Sequence, residues 1–166
     1  VWSLRLLGDG PERRSLVELA DRLGITGRVV FVGRIPSTET VQHYRQMDVL
    51  VLPSVSRPNW VEQFGRVLIE AMACGTAVLT SRRGSLAEIA GDAAHFVDPT
   101  TIESIHEGLQ TLVNDHGYRR HLQESGRSRA ATFAWERAAV ETRQLYEHVT
   151  RGIPSATPTN AAHLQG

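Results

Sequence analysis

The feature that most constrains this chain is a regular alternation of short apolar runs with amphipathic runs. Apolar runs of strand length occupy 2–8, 28–33, 48–54, 77–81 and 93–98. Runs with apolar residues at helical spacing separate them at 12–24, 38–47, 64–75 and 85–91, and three more follow at 101–113, 117–132 and 135–150. The strand runs are apolar throughout, as strands buried on both faces are. The alternation predicts an α/β fold, a Rossmann-like parallel sheet with helices on both faces.

The length of 166 residues suits one domain with a proper core. We expect that domain to span 1–150. The segment 151–166 is rich in Pro, Ser, Thr and Ala, which predicts a flexible tail. The chain starts with Val1 directly before a strand run, which indicates either a piece of a longer protein or a trimmed start.

Composition excludes several classes of function. Eighteen basic residues balance eighteen acidic ones, so net charge gives no argument for a nucleic-acid partner. The single cysteine, Cys74, cannot form an internal disulfide and suits the cytosol. No apolar run approaches the roughly 20 residues of a membrane span. A Walker A motif and the usual zinc-ligand spacings are absent, and the turn at 8–10 lacks the third glycine of a dinucleotide fingerprint.

In a parallel sheet of this kind, ligands bind beyond the carboxyl ends of the strands. The segments that follow those ends are 8–11, 33–36, 53–57, 81–84 and 98–100. The long segment after the third strand run, "PNWVEQFGRVLIEAMACG" at 58–75, carries the most informative chemistry.

Two glutamates, Glu62 and Glu70, stand eight positions apart in that segment. The amides of Phe64, Gly65 and Arg66 would be free donors at a helix N-terminus, where phosphate binds well. At about 1.5 Å per residue, eight residues cover about 12 Å, the length of a sugar, a diphosphate and a ribose in a row. A simpler interpretation remains open, in which Glu62 is a capping or loop acid and Glu70 pairs with a basic neighbour.

The segments "RPNWVEQFGRVLIEAMACGTAVLTS" and "GSLAEIAGDAAHFVDP" resemble the family 4 retaining glycosyltransferases of the GT-B fold, the glycosyl transferases group 1. The mark of that family is Glu, seven residues, then Glu, with Phe-Gly after the first and Ala-Met-Ala-x-Gly after the second. "LLGDGPERRSLVELADRLGITGRVVFVGRI" and "VQHYRQMDVLVLPS" follow the family's usual course. The resemblance covers about residues 2–148.

The resemblance implies a role for each matching position in binding a UDP- or GDP-sugar. It implies no cofactor and no metal, because the helix dipole and basic side chains stabilise the diphosphate. The implied residues are Glu62 at the catalytic centre on the donor sugar, Phe64, Gly65 and Arg66 on the sugar and diphosphate, Glu70 on the ribose, and Gly33, Arg34 and Ile35 on the nucleobase.

The resemblance also implies what the chain lacks. A GT-B enzyme has two Rossmann-like domains, and this chain corresponds to most of the second, without its first strand and helix. Those elements normally carry an Arg and a Lys for the diphosphate, and a sheet without that strand would have two unpaired edges or would close them together. We therefore expect the chain alone to be inactive. The implied full-length enzyme transfers a hexose to a glycan or lipid-linked acceptor, in the cytoplasm or peripherally at the inner membrane face.

Three alternatives remain beside this interpretation. A NAD-binding domain is disfavoured by the incomplete glycine fingerprint at 8–10. A GT-B nucleotide-sugar epimerase shares the architecture, but the Glu-x7-Glu motif beside Ala-Met-Ala-x-Gly argues against it. A non-catalytic nucleotide-binding fragment is favoured by the missing basic residues and disfavoured by the intact Glu62 and Glu70.

Overall fold

A computed structural model describes residues 2–59 and 61–151. Its strands are β1 (Leu4–Leu7), β2 (Val29–Gly33), β3 (Val49–Leu52), β4 (Ala77–Ser81) and β5 (His95–Val97). Its helices are α1 (Arg13–Arg22), α2 (Thr40–Arg45), α3 (Arg66–Ala73), α4 (Leu86–Ala90), α5 (Ile102–Asn114), α6 (His116–Ala131) and α7 (Trp135–Arg151). The predicted alternation is therefore confirmed, with most elements shorter than their runs.

Two details differ from the sequence prediction or lie beyond it. A short 3-10 turn at Thr26–Arg28, before β2, was not predicted. Arg151, the first residue of the predicted tail, is the last residue of α7, and the division into domain and tail stays a prediction. The rest of the predicted tail, 152–166, lies outside the described residues.

Every strand pair is parallel, as predicted, but the strands form two separate sheets among the described residues. One sheet holds β1 and β2, and the other has the order β3-β4-β5. No ladder joins β1 to β3 within the part of the chain that the structure describes. The expectation of two unpaired strand edges thus agrees with the observed division.

The three-stranded sheet has helices on both faces. Along β4, Val78 packs with α2, α3 and α4, while Ala77 and Leu79 pack with α5 and α6. All five residues of β4 are buried, as expected for the central strand of a covered sheet. Both faces of β4 are covered by helices, which explains why Val78 on one face and Ala77 and Leu79 on the other are all apolar.

The carboxyl ends of the three strands lie at one edge of this sheet. In register, Leu52 of β3 faces Thr80 of β4, and Ser81 faces Val97 of β5. The hydroxyl of Ser81 donates to the carbonyl of Ser54 at 2.6 Å and so fixes the chain just after β3. Among the described residues, no helix is both long and apolar enough to cross a membrane.

Candidate functional site

The start of α3 depends on a glycine. Gly65 precedes the helix with φ +71°, in the left-handed region that glycine adopts without strain. It is buried, and a Cβ at this position would lie 2.8 Å from Cδ2 of Leu86. The glycine therefore serves the turn and the packing of α4 as well as any close approach by a ligand.

Glu62 caps this turn with its side chain. The amide of Gly65 donates to Oε1 of Glu62 at 3.2 Å. The backbone carbonyl of Glu62 also accepts hydrogen bonds from the amide and the hydroxyl of Ser85, both at 3.3 Å. Glu62 is partly buried; Ser85 fixes its backbone, and the amide of Gly65 is the partner of its carboxylate.

The two backbone amides beside Gly65 have fewer hydrogen-bond partners among the described residues. Within the described ranges, the amides of Phe64 and Arg66 have no hydrogen-bond acceptor, while that of Gly65 is bonded to Glu62. The side chains of Phe64 and Arg66 are exposed, and Leu68 closes the first turn by donating to the carbonyl of Gly65 at 2.9 Å. Free amides and the positive end of the helix dipole together favour an anion at this end of α3.

Glu70 lies within α3 and has a partner on each oxygen. The hydroxyl of Tyr44, on α2, donates to Oε2 at 3.1 Å. The Nε of Arg66 lies 3.2 Å from Oε1, one helical turn away. The Glu70 side chain is 35% exposed and that of Arg66 is 79% exposed, so water screens the ion pair. Both contacts of the simpler interpretation, a capping acid and a paired helix acid, are therefore present.

Tyr44 is the residue of this site that the sequence prediction missed. It lies in the predicted helix 38–47, but no pattern in the sequence indicates that its hydroxyl reaches an acid 26 positions later. Burial and the hydrogen bond to Glu70 hold the pKa of the Tyr44 phenol above its usual range. The phenol therefore remains a proton donor, which leaves the Glu70 carboxylate as the acceptor.

The segment from Glu62 to Glu70 is part turn and part helix. Because α3 begins only at Arg66 and Gly65 turns the chain, the interval from Glu62 to Glu70 is not one continuous helix. The rise of about 1.5 Å per residue applies only from Arg66 onward, so the predicted length of about 12 Å has no support from this geometry.

The predicted nucleobase residues follow the other sheet. Gly33 ends β2 with φ +80°, and its carbonyl accepts the amide of Gly8 at 2.8 Å. Arg34 is exposed and Ile35 is partly buried. Among residues 2–59 and 61–151, no hydrogen bond connects 33–35 with the segment from Glu62 to Glu70, so their common role stays a prediction.

A metal centre has no obvious ligands here. In the described part of the chain, no three side chains from His, Cys, Asp and Glu come together as a ligand set. The expectation of a metal-independent site is not tested by this finding and stays a prediction.

Comparison with known proteins adds the family. The profile described as "Glycosyl transferases group 1" matches residues 1–129. The D-inositol 3-phosphate glycosyltransferase of Corynebacterium jeikeium is 36% identical over 142 residues, which cover 84% of this chain and 33% of that protein. The chain spans about a third of the length of the curated relatives that it matches first.

Solved structures agree with the profile. The sucrose-phosphate synthase of Thermosynechococcus elongatus superposes with a TM-score of 0.75 at 31% identity, covering 91% of this chain and 39% of that one. The C-terminal domain of a glycosyl transferase group 1 family protein from Francisella tularensis gives 0.69 at 26% identity, covering 80% and 69%. The α/β fold with its parallel strands is the one these glycosyltransferases share, and the chain belongs to the glycosyl transferases group 1 family.

Proposed function

We propose that this chain is the donor-binding, C-terminal part of a family 4 retaining GT-B glycosyltransferase. The full-length enzyme transfers a hexose from a UDP- or GDP-sugar to a glycan or lipid-linked acceptor. The observation that carries the proposal is the start of α3, where the amides of Phe64 and Arg66 have no acceptor among the described residues. In sequence they stand between two carboxylates with protein partners, Glu62 and Glu70.

The diphosphate is assigned to the helix start for electrostatic reasons. The amides of Phe64 and Arg66 donate hydrogen bonds there, and the helix dipole favours negative charge. The Arg66 side chain is 79% exposed, and its guanidinium, which pairs with Glu70, adds a cation in the first turn. We expect these groups to bind the diphosphate without a metal ion.

The two carboxylates suit neutral hydroxyl groups. Glu62 uses Oε1 for the amide of Gly65, and its Oε2 remains able to accept a hydroxyl of the donor sugar. Glu70 accepts the hydroxyls of the ribose. Carboxylates in these places would repel a phosphate but bind hydroxyl groups through charge-assisted hydrogen bonds.

The chemistry proposed for transfer is positional and electrostatic. The chain offers donors for the leaving diphosphate and acceptors that orient the sugar, which lowers the barrier without a protein nucleophile. Retention is assigned to attack from the face that the diphosphate leaves, with the diphosphate assisting proton removal from the acceptor. We assign this part of the enzyme to the cytoplasm, because its single cysteine suits a reducing compartment.

A second candidate is a chain that binds a nucleotide without catalysing transfer. It is favoured by the division between the β1–β2 and β3–β5 sheets and by the internal partners of Glu62 and Glu70. Turnover of UDP- and GDP-sugars by this chain, measured beside the full-length enzyme, separates the two cases. We expect the full-length enzyme to be active and this chain to be inactive. If neither protein is active, the second candidate is supported.

Nucleotide binding is tested by amide NMR titration of this chain with UDP, GDP and NAD. We expect shifts at 33–36 and 62–70 with UDP or GDP. Glu70→Ala should weaken that binding by about 1–3 kcal/mol, since it removes hydrogen bonds to a charged acceptor. Glu141→Ala is the matched control, because Glu141 also pairs with an arginine four positions earlier, Arg137. An unchanged dissociation constant in Glu70→Ala would contradict the ribose assignment.

The sugar assignment is tested in the full-length enzyme with Glu62→Gln. The substitution keeps the shape of the side chain but removes its charge, so turnover should fall by more than the affinity for UDP or GDP falls. Glu88→Gln, an exposed acid on α4, is the control. Equal losses of turnover and nucleotide affinity would show that Glu62 does not contact the sugar.

A further inference from the structure

Tyr44 joins two helices at the candidate ribose site. It lies on α2, is 5% exposed, and packs in the same core cluster as Leu68 and Met72 of α3. Its hydroxyl donates to Oε2 of Glu70 at 3.1 Å. A buried phenol requires a hydrogen-bond partner, and here that partner is a carboxylate at the protein surface.

The backbone of Tyr44 is fixed as firmly as its ring. The hydroxyl of Thr76 donates to the carbonyl of Tyr44 at 2.7 Å, and Thr76 is itself 1% exposed. Thr76 immediately precedes β4, so this hydrogen bond ties α2 to the central strand of the sheet. The position of the Tyr44 hydroxyl is therefore set by the core.

The other partner of Glu70 constrains it less. Arg66 has its guanidinium largely in water, and an exposed ion pair between neighbouring helical turns contributes little. The hydrogen bond from Tyr44 comes from a different helix and from a buried side chain. It therefore restricts the rotation of the carboxylate in a way that Arg66 does not.

The two contacts leave the carboxylate with capacity for a ligand. A carboxylate offers about four lone-pair positions, two on each oxygen. Tyr44 uses one on Oε2 and Arg66 uses one on Oε1. Among the described residues nothing else occupies the carboxylate, so one position on each oxygen remains. That matches two adjacent hydroxyl groups that donate side by side.

We propose that Tyr44 is a positioning residue, which orients the Glu70 carboxylate so that it accepts both hydroxyls of the ribose of the donor nucleotide. The inference rests on the proposed function, because it assigns the vicinal diol to the ribose of a UDP- or GDP-sugar. Tyr44 acts through Glu70 and does not touch the nucleotide.

The test compares nucleotides with and without the diol on this chain. Isothermal titration calorimetry gives the affinities of UDP, GDP and their 2′,3′-dideoxy forms for the wild type, Tyr44→Phe and Glu70→Ala. Tyr44→Phe keeps the buried ring and removes only the hydroxyl. We expect about a tenfold loss of affinity for the preferred ribonucleotide and no change for its dideoxy form.

Tyr146→Phe is the matched control, because Tyr146 lies on α7 with 67% of its surface exposed. It should leave all four affinities unchanged. Urea unfolding of each variant reports stability separately, so that a general loss of fold is recognised.

The outcomes separate the inference from the proposed function. If Glu70→Ala lowers ribonucleotide affinity but Tyr44→Phe does not, or if Tyr44→Phe weakens both nucleotide forms equally, the positioning role is overturned and the ribose site remains. If the wild type binds neither nucleotide, or binds both forms equally well, the ribose assignment falls and the role of Tyr44 falls with it.

Discussion

Replacing Gly84 by alanine should displace Glu62 and destabilise the fold. Gly84 has φ +55°, and a Cβ there would overlap the backbone carbonyl of Glu62 and lie 2.9 Å from Cγ1 of Val61. That carbonyl accepts both hydrogen bonds from Ser85. The overlap is with backbone, so it can be relieved only by moving one of the two loops that hold Glu62.

Gly24 offers a matched comparison that isolates the overlap. It has a similar φ of +67°, but nothing lies within 4 Å of a Cβ at its position. Gly24→Ala should cost about 1 kcal/mol, because left-handed strain is partly offset by a less flexible unfolded chain. Gly84→Ala should lower the free energy of unfolding by the same amount and by roughly 1–3 kcal/mol more because of the overlap.

The assay is urea unfolding of both variants and the wild type, followed by far-UV circular dichroism. The free energies of unfolding are compared only if the dependence on urea is the same in all three. Equal destabilisation by Gly84→Ala and Gly24→Ala would refute the argument that the loop before α4 supports Glu62. A larger effect of Gly24→Ala would refute it more strongly.

Three further predictions concern the core and its pH dependence, and one of them has its own control substitution. Thr76→Val should lower the free energy of unfolding by about 1 kcal/mol, measured by urea unfolding, because it removes the buried hydrogen bond to the carbonyl of Tyr44. Gly108→Ala should lower the free energy of unfolding by about 1–2 kcal/mol despite the better helix propensity of alanine, because the new Cβ would lie 2.6 Å from a methyl group of Val97 in β5. Gly117→Ala is the control and should not destabilise the fold, because the nearest atom to its Cβ would lie 3.4 Å away. Burial lowers the pKa of His95 below 6.5 in the folded state, so the unfolded chain binds a proton more readily than the folded chain does. The free energy of unfolding should therefore decline as the pH falls below 6.5. His95→Gln should make that decline less steep, measured by unfolding over a pH series.

The elements of the fold could be predicted because their signals are local. The apolar run 77–81 coincides with β4, and the run 12–24 contains α1 with its ends trimmed by turns. Apolar spacing and glycine stops lie within a few residues of the element that they define. The division into two sheets was one of the two outcomes that the sequence left open, and strand order alone did not choose between them.

The contacts of the site could be predicted only in part. The sequence placed Glu62 before a helix start and Glu70 within the helix, and both positions are confirmed. The hydroxyl of Tyr44 on Glu70 and the approach of Gly84 to Glu62 depend on how α2 and the loop before α4 pack against α3. Such packing brings together residues that are distant in sequence, and no local periodicity records it.

The structural and functional interpretations of the two glutamates support each other. The carboxyl group that accepts from Gly65 and the one that accepts from Tyr44 are both hydrogen-bond acceptors with a fixed partner in the protein. Those are also the requirements for binding a hydroxyl group selectively, since an acceptor that is already oriented loses little freedom when the ligand arrives. Stability measurements alone therefore cannot decide between capping and binding. For Glu70 the comparison of a nucleotide with its dideoxy form can, because a purely structural acid has no reason to distinguish the two; for Glu62 the comparison of turnover with nucleotide affinity in Glu62→Gln does so.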